Sequence, residues 1–78
     1  MVFLAITSAG LAEALRQAAD SHTVWCGSDA ISEAGWASLG APDLSRFTYP
    51  LGDRELLEDA ITTIKEHHPG QTIWVEAS

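Results

Sequence analysis

Cys26 ends the apolar part of the stretch TVWCGSD, residues 23–29, and is the only cysteine in the chain. A thiol placed between a strand and the first amides of a helix lies where peptide dipoles favour the thiolate. Nucleophilic chemistry also needs a base to take the proton and a group to orient that base. The histidines on offer are His22, His67 and His68. His22 precedes Cys26 on the same predicted strand, while His67 and His68 end a helix that returns to the opposite edge of the sheet. No Cys–His pair is therefore expected, and Cys26 reads as a small core residue. Ser28 and Asp29 lack the Gly-x-Ser-x-Gly setting of a nucleophile elbow. As helix caps, both are accounted for without chemistry.

Adjacent histidines on a helix point about 100° apart and seldom share one ion. No other cysteine or histidine spacing supports His67 and His68, so neither a metal nor another cofactor is expected. The better ligand-binding turn is TSAG, with Thr7, Ser8 and Gly10 between an apolar strand and a helix start. Amides and the helix dipole at such a turn can hold a phosphate or carboxylate. In a parallel sheet the corner at Ser28 and Asp29 falls on the same edge, so the two turns can line one cleft. One glycine is far short of a Gly-x-Gly-x-x-Gly loop, no lysine follows, and the net charge of -7 opposes an anion. With no catalytic constellation, the chain reads more as a binding protein than as an enzyme.

Trp25, Trp36 and Trp74 are many tryptophans for so short a chain. Tryptophan carries a disproportionate share of binding energy at interfaces, and an exposed apolar patch marks a docking surface. These three are the residues expected at an interface.

The elements that must position these groups follow from hydrophobic periodicity. VFLAIT, residues 2–7, is apolar throughout and predicts a central strand buried on both faces. Residues 8–20 place Leu11, Leu15 and Ala18 on one helical face, with Thr7 or Ser8 as cap. Residues 22–26 predict a second strand. Residues 28–40 predict a short helix capped by Ser28 or Asp29 and stopped by Gly40. APDLS is expected to be a loop, and RFTYPL, residues 46–51, a half-covered strand that is either at a sheet edge or ends at Pro50, which lacks an amide donor. Asp53 caps the clearest helix, with a stripe of Leu56, Leu57, Ala60, Ile61 and Ile64, and Pro69 and Gly70 end it. QTIWVEA supplies the last strand.

The order β-α-β-α-β-α-β predicts an α/β fold, a four-stranded and mainly parallel sheet with helices on both faces. The rival is a ferredoxin-like α+β sandwich, which would leave one face of the sheet, and with it Trp25 and Trp74, in water. Three layers are favoured, with the middle helix over that face. Residues 1–78 form one domain in this reading, because so short a chain supports a single core.

Hydrophobic residues at 46% and charged residues at 19% exclude a chain disordered by composition. Eleven acidic residues against four Lys and Arg repel phosphate backbones, so nucleic-acid binding is not expected. No stretch approaches the roughly 20 apolar residues of a membrane span, and residues 1–6 lack the features of a signal peptide. A cytoplasmic location follows as the expectation. A core of this size is marginal, and a lone cysteine excludes an internal disulfide, so a partner chain is the available supplement. The expected function is a non-enzymatic protein-interaction or regulatory module, acting as a homodimer or subunit. The alternative is a module for a small phosphate, nucleotide or carboxylate ligand at turn 7–10 and corner 26–29.

Overall fold

Val2, Phe3, Leu4 and Ala5 contain no polar side chain, and the strand they form is buried on both faces. The computed structural model describes residues 1–18, 23–40 and 43–76. Its elements alternate strictly: β1 (Val2–Ala5), α1 (Ser8–Ala18), β2 (Thr23–Cys26), α2 (Glu33–Leu39), β3 (Leu44–Arg46), α3 (Arg54–His67) and β4 (Ile73–Val75). The strands form one all-parallel sheet in the order β3-β2-β1-β4. The fold is a small α/β domain, with β1 inside the sheet as its composition requires.

Right-handed crossovers decide which face each helix covers. The chain steps from β1 to β2 to β3 in one direction, so α1 and α2 fall on one face. From β3 it returns past β1 to β4, and α3 falls on the other. Leu11, Ala14 and Ala18 of α1 pack with Phe3, Val24 and Cys26, and Trp36 of α2 packs against the same cluster. Ala60 and Ile64 of α3 pack with Val2, Leu4, Phe47 and Leu51. The middle helix thus shares a face with α1 and does not make the third layer, which α3 supplies alone.

Register corrects a second expectation. Leu4 pairs with Trp25 and Phe3 with Trp74, so the two tryptophans lie on opposite faces of the sheet. Trp25 belongs to the α3 side and Trp74 to the α1 side.

β3 lies earlier in the chain than its periodicity predicts. Leu44, Ser45 and Arg46 pair with Val24, Trp25 and Cys26, so the strand begins inside the expected loop. Residues 46–51 are not a strand beyond Arg46: the amide of Phe47 donates to Cys26 O at 2.8 Å, and the chain then turns away. Phe47 and Leu51 are buried against α3 from this irregular segment. Their period-2 spacing comes from a loop folding over a core and not from a ladder.

Helix caps follow the sequence in two of three cases. Thr7 Oγ1 accepts from Gly10 N at 3.1 Å, and Asp53 Oδ1 accepts from Glu55 N at 2.8 Å. The cap of α2 is Ser32 and not Ser28 or Asp29: its hydroxyl accepts from Gly35 N at 3.0 Å. Gly40 stops α2 at φ 59°, a left-handed conformation that favours glycine.

Candidate functional site

In a sheet of this kind ligands gather at the carboxyl ends of the strands, where the strand order reverses. Here that point lies between β1 and β4. Glu76 follows β4 directly and turns its carboxylate back across the end of β1. Its Oε1 accepts from Ile6 N at 2.6 Å and Thr7 N at 2.8 Å, and its Oε2 accepts from the Thr7 hydroxyl at 2.6 Å. A Cβ on Gly10 would lie 1.8 Å from that Oε1, so the carboxylate occupies the space a side chain would take. Burial pushes the Glu76 carboxyl up, but the bonds from the Thr7 hydroxyl, the Thr7 amide and the Ile6 amide together outweigh it. The net direction is below the usual carboxylate value.

The amides of Ile6 and Thr7, between β1 and α1, therefore already hold an anion, and it belongs to the chain. Thr7 and Gly10, expected to bind a ligand, bind and accommodate Glu76. Sequence reasoning missed Glu76. The available signal was an acidic residue directly after the last strand, which parallel topology brings beside the end of β1.

Corner 26–29 lies at the same sheet edge, as expected, and its backbone is similarly engaged. Gly27 N donates to Ala5 O at 3.1 Å and Ser28 N to Tyr49 O at 3.1 Å. The Arg46 guanidinium donates to Ile31 O at 2.8 Å and Ser28 O at 3.2 Å. A Cβ on Gly27 would approach Leu51 N to 3.1 Å, so the corner packs directly against the loop after β3. Asp29 is exposed. Burial pushes the Cys26 thiol up to about 11, against a smaller opposing effect of the Arg46 charge. Such a thiol is protonated and inert at neutral pH.

Cys26 faces α1, whereas His67 and His68 meet Trp25 on the α3 side. The Trp25 indole donates to His68 Nε2 at 3.3 Å, and its ring centroid is 5.6 Å from that of His67 and 5.1 Å from that of Phe47. No Cys–His pair forms from these residues, and His22 lies outside the described residues. Among the described residues no group of three His, Cys, Asp or Glu is arranged to hold a metal. No helix among them is long and apolar enough to cross a membrane.

The three tryptophans meet different surroundings. Trp25 is half-buried in the cluster just described. Trp36 is half-buried, and its indole donates to Leu44 O at 3.0 Å. Trp74 is 41% exposed and touches Phe3 with ring centroids 5.6 Å apart.

This difference extends to the two sheet edges. Alternate residues of a parallel edge strand turn their backbone groups toward the neighbouring strand. On β3, Asp43 O accepts from Val24 N and Phe47 N donates to Cys26 O, so Leu44 faces outward. Its carbonyl is the one that Trp36 caps. On β4, Thr72 O accepts from Val2 N and Glu76 N donates to Leu4 O, both at 2.9 Å. Trp74 shares their parity, and the N–H and C=O groups of Ile73 and Val75 point out of the sheet. Among the described residues nothing caps them. The β3 edge is partly closed by a side chain, and the β4 edge is open.

Comparison of the chain with protein-family models, with curated proteins and with solved structures returns no match.

Proposed function

We propose that this chain is a small non-enzymatic protein-interaction or regulatory module of the cytoplasm, acting as a homodimer or as a subunit of a larger assembly. The observation that carries the reading is Trp74, a large aromatic side chain 41% exposed on an open edge strand. An exposed indole beside unpaired backbone groups has the composition of a binding surface. The size of the chain favours the same reading, because one core built from 78 residues is marginal without added contacts.

The small-ligand reading fares less well on this geometry. A phosphate or carboxylate entering turn 7–10 must displace Glu76 from three hydrogen bonds and enter the field of a chain with net charge -7. Among the described residues a Cys26 nucleophile has no base beside it, and burial raises its pKa.

Sedimentation of the full chain from about 1 µM to about 1 mM, with acrylamide quenching of its tryptophan fluorescence, tests the reading. The expected result is one readily quenched indole at low concentration and a mass rising above 8.4 kDa as concentration increases. A monomer throughout, with every indole shielded, overturns it.

A further inference from the structure

The backbone groups of Ile73 and Val75 each offer one donor and one acceptor to the outside of β4, symmetrically about Trp74. We infer that β4 pairs antiparallel with β4 of a second copy of this chain, about a twofold axis at Trp74. This inference rests on the interaction reading above and names its partner. In that arrangement Ile73 of one copy stands opposite Val75 of the other. Directly opposed residues whose groups face each other exchange two N–H···O=C bonds, so the two such pairs use every outward group from residue 73 to residue 75.

Trp74 then meets Trp74 of the second copy in a non-hydrogen-bonded pair, where Cα atoms approach to about 4.5 Å and side chains on one face touch. The Phe3–Trp74 contact continues across the axis into its symmetry mate. The two four-stranded sheets become one. An isologous contact of this kind closes on itself and does not propagate into a filament.

Charge selects a second copy over another extended segment. The chain carries -7, yet Gln71, Thr72, Ile73, Trp74 and Val75 are uncharged, and Glu76 has turned its carboxylate inward to Thr7. In antiparallel register Glu76 stands opposite Thr72, so no like charges are apposed along the strand. A basic peptide would find no acid on this strip to pair with, whereas a second copy brings an equally uncharged one. A three-residue edge and one indole per copy are far less than the roughly 1,200–2,000 Å² of a standard stable interface. The dimer is therefore weak, and the mutual repulsion of two acidic chains makes it tighter as salt rises.

Sedimentation of the full chain and of Trp74→Lys, together with oxidative cross-linking of Trp74→Cys and Leu39→Cys, tests the pairing. Trp74 is exposed in the single chain, so W74K is expected to keep the wild-type far-UV circular dichroism while association weakens by at least about tenfold. The W74C thiols come within the roughly 4.4–6.8 Å Cα separation of a disulfide. They are expected to cross-link at least about tenfold faster than those of L39C, whose site is more exposed but lies on α2, on the β3 side of the sheet. Association that W74K leaves unchanged, or W74C cross-linking no faster than L39C, overturns the pairing and leaves the interaction reading standing. A chain that stays monomeric overturns the pairing, and if every indole is also shielded it removes the interaction reading with it.

Discussion

Leu4→Ala is expected to lower the unfolding free energy by about 3–5 kcal/mol and to move the urea midpoint down accordingly. Leu4 is wholly buried at the centre of the sheet, paired with Trp25 on one side and Val75 on the other. On its face it packs with Leu51, Ala60 and Ile64. Deleting three carbons there removes their transfer free energy and leaves a cavity. The cavity cannot collapse, because ladders on both sides fix the backbone of β1. A domain of this size has only about 4–12 kcal/mol to lose, so the expected change takes a large share of its stability. Urea unfolding followed by circular dichroism measures it. A loss below about 1 kcal/mol would contradict the packing described. Leu39→Ala, at a residue 51% exposed, is the comparison and is expected to change stability by less than about 0.5 kcal/mol.

Glu76→Ala is expected to destabilise the fold by about 2 kcal/mol at neutral pH, a figure set by its three charge-assisted bonds and discounted for their partial exposure. The pH dependence has a definite sign. The folded-state pKa of Glu76 lies below its unfolded value, so the carboxylate contributes fully above the unfolded value, and that contribution is lost as pH falls through the folded one. The difference in stability between wild type and E76A is therefore flat from neutrality down to the ordinary carboxylate range, and shrinks below it. Urea midpoints at several pH values read this directly. A difference that grows as the pH drops would contradict the assignment. Gly10→Ala probes the same contact from the other side. Its Cβ would displace the Glu76 carboxylate, and the resulting loss is partly offset by the roughly 1 kcal/mol that alanine gains over glycine in a helix.

The alternation of elements was legible because each strand is a short apolar run and each helix has a stripe and a cap. Face assignment was not. The middle helix and α3 exchange roles once the strand order is known, and nothing in the periodicity of residues 28–40 or 54–67 encodes that order. Trp25 and Trp74 were placed on one face for the same reason, since relative register sets the face and periodicity within a strand does not. Phe47, Tyr49 and Leu51 show a related limit. Their spacing reports which side chains turn toward α3, whereas β3 itself is identified by the pairing of Leu44, Ser45 and Arg46 with Val24, Trp25 and Cys26. Turn 7–10 lies at the carboxyl edge of the sheet, as parallel topology requires. Its occupant was hidden because Glu76 is a single acid about 70 residues away in sequence, and only the return of the chain to β1 brings it within reach of Ile6 and Thr7.

We propose that the chain meets its partner at the β4 edge, while the turn after β1 is closed by the chain's own Glu76 carboxylate. Amide and indole chemical shifts of the full chain, followed through a dilution series and through a titration with inorganic phosphate, test both halves at once. Dilution is expected to move the Trp74 indole and the amides of Ile73 and Val75, with Ile6 and Thr7 unmoved by millimolar phosphate. Phosphate-dependent shifts at Ile6, Thr7 and Gly10, with β4 unmoved by dilution, would overturn both assignments.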